Sequence, residues 1–140
     1  MNEPLDLRAL VRSRDRRPRP RWPAQRAAIA TAPDRRAERV LSAHLTIDQA
    51  DTLATFGWFD ITSQHGNRYR IYRGQVVNVY RLVAGRSGRL RSVAGYCLRS
   101  DPPMPDADVM LTQLLLLRTD EDAFLQRAQR FDLRPPRRRR

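Results

Sequence analysis

Apolar positions recur at helical spacing early in the chain and switch to strand spacing near its middle. Ala37, Val40, Leu41 and His44 or Leu45 line one face of a helix that Thr31 or Asp34 can cap and that runs through Leu45. Thr46-Ile47-Asp48-Gln49 then reads as a capping box, with Thr at the cap and Gln three residues on. The second helix it opens carries Ile47, Ala50, Leu53 and Ala54 as its apolar stripe and stops at Gly57, after Phe56. From there the pattern turns β-branched and aromatic. Trp58–Thr62, Arg68–Tyr72, Gln75–Val83 and Leu90–Leu98 read as strands, separated by turn chemistry at His65-Gly66-Asn67, Arg73-Gly74 and Gly85-Arg86-Ser87-Gly88. Such short connections pair successive strands antiparallel, and a meander of this kind needs one face covered.

The cover is predicted to come from the C-terminal third. Past the breaker Asp101-Pro102-Pro103-Met104-Pro105, a helix is expected over Asp106–Leu117, with acids in its first turn favouring the helix dipole. Thr119 with Asp122 suggests the cap of a last helix, whose core face is Ala123, Phe124, Leu125 and Ala128. Leu111, Leu114, Leu115 and Arg118 share one side of the third helix, and Leu116 and Leu117 extend the apolar surface round it. That surface suits either the core or a seam for self-association through the Leu111–Leu117 helix. The predicted class is α+β: a four-stranded antiparallel β-meander with two helices before it and two after it. Its domain spans 34–133, between an Arg/Pro-rich arm over 1–33 and a poly-Arg tail over 134–140.

Charge changes the picture. The 140 residues hold 27 arginines, no lysine and 15 acids, a net charge of +12. The missing lysine matches a GC-rich coding sequence, which sets the type of cation but not its excess. Residues 1–39 carry +6, residues 134–140 carry +5 and the middle, 40–133, only +1. Eight arginines interleave with Pro18, Pro20 and Pro23 between Arg8 and Arg26, a pattern that breaks helices and repels itself, so both ends are expected to be disordered. Trp22 is the aromatic available there to stack on an unpaired base or to dock on the domain. The middle is itself split: 61–100 has eight arginines and no acid, 40–60 has three acids and no arginine, and 101–133 has seven acids and three arginines. Arg68, Arg70 and Tyr72 share a parity, which puts two cations and an aromatic on one strand face. The basic strands either present guanidinium groups to phosphate or pair with the acidic helices.

Other chemistry is thin. Two histidines and one cysteine cannot build a structural zinc site or an intramolecular disulfide. No apolar run exceeds four residues, far below the ~20 of a membrane span, and Leu5–Val11 is too broken to act as a secretory signal. A cytoplasmic, intracellular protein is expected, with association with a nucleoid or virion as an option open to it. Cys97 and His65 would form a thiolate–imidazole pair only within hydrogen-bond reach, and a mid-strand cysteine is more often packing. Asp101, Asp106 and Asp108 invite a divalent metal and nuclease chemistry, but helix capping accounts for them without one. Gly85–Gly88 joins two strands and so is no phosphate loop. No catalytic residue, metal ligand or cofactor site is assigned.

The reading is a non-enzymatic accessory protein that binds DNA or RNA nonspecifically. Its contacts are Arg12, Arg14, Arg16, Arg17, Arg19, Arg21 and Trp22 in the arm, Arg68, Arg70 and Tyr72 on the sheet, and Arg137, Arg138, Arg139 and Arg140 in the tail. The alternative is an assembly module whose ends bind an acidic protein surface. Gly66-Asn67-Arg68-Tyr69-Arg70-Ile71, Gly74, Asn78-Val79, Cys97, Asp108, Leu111, Gln113 to Leu116, Asp120-Glu121 and Phe124-Leu125 together form a recognisable pattern. Over about residues 37–128 it resembles small uncharacterised proteins predicted from phage and bacterial genomes, and Leu114 stands where that pattern has lysine. The resemblance implies a compact domain with tails peculiar to this chain and carries no activity.

Overall fold

The computed structural model describes residues 31–98 and 100–133. The arm and tail contacts expected at Arg12 to Trp22 and Arg137 to Arg140 lie outside them, as does Arg99. The fold is α+β, and among the described residues it has four helices and five strands. In chain order they are α1 (Ala32–His44), α2 (Ile47–Phe56), β1 (Trp58–Thr62), β2 (Arg68–Tyr72), β3 (Val79–Ala84), β4 (Leu90–Cys97), α3 (Asp106–Thr119), α4 (Glu121–Arg127) and β5 (Gln129–Asp132). The strands form one antiparallel sheet in the order β1-β2-β3-β4-β5. The meander thus has a fifth strand, which corrects the expected four. Four residues that alternate Gln, Arg, Phe and Asp carry no apolar run to announce it; it forms by returning along β4 once α4 has ended at Ala128.

Capping is local and follows the sequence closely. Thr31 and Asp34 close a capping box on α1, so both candidate caps act together. Thr46 and Gln49 do the same for α2, which ends on Gly57 in the left-handed region at φ 76°. The cap of α4 is Asp120, whose side chain accepts from the Ala123 amide, rather than Thr119. Thr119 instead donates back to the Leu115 carbonyl inside α3.

The helices bury one cluster against one sheet face. Ala37 and Leu41 of α1, Ala107, Met110, Leu114 and Leu117 of α3 and Phe124 of α4 meet Phe59, Ile61, Tyr69, Ile71, Val79, Ala94 and Tyr96. Tyr69, Tyr96 and Phe124 pack edge to face at 5.7–6.4 Å, and fully burying an aromatic of this size contributes about 2–3 kcal/mol. The buried side of α3 is therefore Ala107-Met110-Leu114-Leu117, with Leu115 turned outward at 39 % exposure, a rotation from the expected face. Most of the leucine run goes to the core instead of a seam. Nor does α2 bury a full stripe: Ile47 is 82 % exposed and Leu53 alone of the larger residues reaches the cluster. No helix among the described residues is long and apolar enough to cross a membrane.

The third strand starts at Val79, not Gln75, because residues 73–77 are used up in the bends that join it to β2, and Asn78 anchors the end of that connection. The buried Asn78 amide exchanges two 2.8 Å hydrogen bonds with Gln113 of α3 and also donates to the Tyr72 carbonyl at 3.1 Å. Gly95 of β4 lies beneath this turn, and a Cβ there would sit 2.8 Å from Val77 Cγ1 and 3.2 Å from Tyr80 Cε1. Gly95→Ala is expected to cost about 1–3 kcal/mol by overpacking, read as a lower urea midpoint.

Candidate nucleic-acid interface

Alternation along the strands sends a second set of side chains to the face away from the helices. Trp58, Asp60 and Thr62 of β1, Arg68, Arg70 and Tyr72 of β2 and Tyr80 of β3 occupy it, with the strand register placing Trp58 beside Tyr72, Asp60 beside Arg70 and Arg70 in turn beside Tyr80. Phe56, at the end of α2, stacks on Trp58 at 5.7 Å and 24°. Trp58 lies 6.4 Å from Tyr72, and Tyr72 meets Tyr80 edge-on at 5.5 Å. A continuous aromatic band thus crosses three strands. Periodicity predicted the shared face of Arg68, Arg70 and Tyr72; Trp58, Tyr80 and Phe56 were missed because they belong to other elements, and register alone brings them together.

Arg70 is inlaid in that band. Its Nε and one terminal nitrogen reach the two Asp60 oxygens at 2.7 and 3.0 Å, and its guanidinium carbon sits 3.5 Å over the Trp58 ring. Burial works against its charge, yet the Asp60 carboxylate outweighs burial and the pKa is raised. Arg68 is half-buried, 3.9 Å from the same carboxylate. The Arg70 fork is thereby occupied, so its role on this face is to hold Trp58 and Asp60 in register.

Among the described residues of 61–98, the remaining basic side chains divide into bonded and exposed ones, and none of them pairs with an acid of 40–60 or 101–133. Arg73, just past β2, forms a two-point ion pair with Glu38 of α1, one bond at 3.0 Å, an acid outside the segments 40–60 and 101–133 expected to supply such partners. Arg81 turns to the helix side and donates to Asn67 Oδ1 at 2.9 Å. Arg86 and Arg89, at the tip of the β3–β4 hairpin, and Arg91, near the start of β4, are exposed and have no acidic partner among the described residues. The hairpin itself is held by Gly85 N–H donating to the Arg89 carbonyl at 2.7 Å and by Gly88 at φ 73°. Among the described residues of 61–98, these three guanidinium groups are placed to meet phosphate.

Behind the sheet lies a polar site that sequence reasoning did not find. Glu121, at the start of α4, is completely buried. Its Oε2 accepts from Ser63 Oγ at 2.5 Å and the His65 amide at 3.1 Å, and its Oε1 from Asn67 Nδ2 at 2.8 Å and the Tyr69 hydroxyl at 2.6 Å. Burial pushes this carboxyl up, but the four donors outweigh it and hold it down at about 2. The same contact, with burial, raises the Tyr69 hydroxyl. Every acceptor site is used, so the cluster ties the β1–β2 turn to α4 rather than offering a reactive group. Glu121 reads in the sequence as one more first-turn acid; its donors are 52 to 58 residues away.

The remaining candidates do not converge. His65 faces Asp122 at 3.5 Å in the β1–β2 turn, Cys97 is buried in β4 and no hydrogen bond joins them. Cys97 lines an open cleft of about 330 Å³ with Gly74, Val76, Met104 and Met110. Asp106 and Asp108 sit in the first turn of α3, and no cluster of three metal-ligating side chains occurs among the described residues. No family model, curated protein or solved structure matches the chain.

Proposed function

We propose that this is a non-enzymatic accessory protein that binds nucleic acid without sequence preference. Its Arg-rich ends supply most of the affinity and the outer sheet face orients the domain. The observation that supports this reading is the pairing, on one sheet, of an aromatic band with three exposed arginines that lack acidic partners among the described residues. Guanidinium groups neutralise phosphate and release counterions, while aromatic rings accept any base. Anisotropy titration of the full chain with random DNA, random RNA and a polyacidic peptide, at two salt concentrations, tests it. Contacts to six phosphates predict a log-affinity against log-salt slope of roughly −4 to −5. Equal affinity for the polyacidic peptide would put an acidic protein partner in place of nucleic acid.

A further inference from the structure

The two edges of the sheet are treated differently. At the β1 edge, Gln49 of α2 donates to the Asp60 carbonyl at 2.9 Å, so a helix side chain covers that strand. At the other edge all four residues of β5 are exposed, and Phe131 and Leu133 present apolar side chains at 40 % and 41 % exposure. A strand edge that is open among the described residues and apolar at its centre is a template for another strand.

The backbone fixes which groups are open. Leu133 N–H donates to the Val93 carbonyl at 3.2 Å, so by antiparallel alternation the backbone groups of 129, 131 and 133 point to β4. Those of Arg130 and Asp132 point outward. We infer that β5 pairs antiparallel with β5 of a second copy of this chain, about a twofold axis at Phe131, joining the two sheets into one of ten strands.

Charge selects that register. An incoming β5 must pair through its own Arg130 and Asp132, which allows Arg130 opposite Arg130, Asp132 opposite Asp132, or Arg130 opposite Asp132. The first two set like charges face to face. The third gives two oppositely charged hydrogen-bonded pairs, four backbone bonds and Phe131 against Phe131 at the closer, non-hydrogen-bonded position. Within one chain Arg130 already reaches Asp132 at 2.8 Å, so the paired strands would form a ring of four alternating charges. The interface is isologous and closes at two, and Pro135 and Pro136 have no N–H with which to prolong it. This inference does not depend on nucleic-acid binding.

The test is sedimentation equilibrium of the full chain after nuclease treatment, with amide exchange followed by NMR. A dimer is expected. Arg130→Asp and Asp132→Arg each place like charges in register and should weaken it by about tenfold or more, while the double reversal should restore it to within about threefold. The Arg130 and Asp132 amides should become protected as concentration rises, whereas Phe131 and Leu133 amides stay protected throughout, which also reports that each variant is folded. A chain that is monomeric at about 100 µM, a dimer that neither single reversal weakens, or a double reversal that fails to recover overturns the inference.

Discussion

Glu121→Gln is expected to lower the thermal midpoint by about 15 °C, a loss of about 3 kcal/mol for a domain of this size. The reason is the count of donors. One carboxylate oxygen takes Ser63 and the His65 amide, the other Asn67 and Tyr69. An amide has one acceptor oxygen, so either orientation turns an NH2 group toward one hydroxyl, which can rotate to accept from it, and one N–H, which is stranded in a dry site at about 1–3 kcal/mol, while the other two donors lose a charged acceptor. The change is nearly isosteric, so packing contributes little to it. Acid should reveal the same contact. Because the folded-state pKa is depressed, from 4.5 to about 2, the stabilisation is complete above the unfolded value and lost as pH falls through the folded one. At pH 3 about 2 kcal/mol of it should be gone. Urea midpoints at pH 7 and pH 3 for both proteins measure this, and the variant should lose less stability on acidification than the wild type. Equal losses would mean that the buried carboxyl does not carry the acid sensitivity.

What the sequence disclosed and what it hid follow from the range of the interactions. Thr31, Thr46, Gln49 and Gly57 act within four residues of themselves, so the boundaries of α1 and α2 were legible from local chemistry. Strand parity placed Arg68, Arg70 and Tyr72 on one face for the same reason. Three features escaped. The strand β5 exists because β4 offers it an edge, and its residues alone have no strand signature. The orientation of α3 turns Gln113 inward to Asn78, 35 residues away, and Leu115 outward, a pairing that periodicity within the helix does not reveal. Glu121 needs Ser63, Asn67 and Tyr69 delivered by a distant hairpin, and no spacing rule connects them. At the candidate site the arginines were legible as charge, but which were free was not. Asp60, Glu38 and Asn67 occupy Arg70, Arg73 and Arg81, and only register and packing decide that.

Removing residues 1–30 and 134–140 together is expected to weaken binding to a random oligonucleotide about a thousandfold near 100 mM salt, about 4 kcal/mol. Those segments hold thirteen arginines, and without them the net charge falls from +12 to +2. The remaining domain keeps Arg86, Arg89 and Arg91 exposed, so its affinity should be small but not zero. Three such contacts predict a salt slope of roughly −2 to −3 in place of −4 to −5. The slope distinguishes two ways in which binding can weaken. Loss of cations lowers the slope along with the affinity; loss of a docking geometry lowers the affinity and leaves the slope where the remaining phosphate contacts put it. Circular dichroism of the truncated chain checks that its fold is intact. If that chain binds as tightly as the full one at matched salt, the Arg-rich ends are not the source of affinity. The aromatic band with the hairpin arginines would then have to account for all of it.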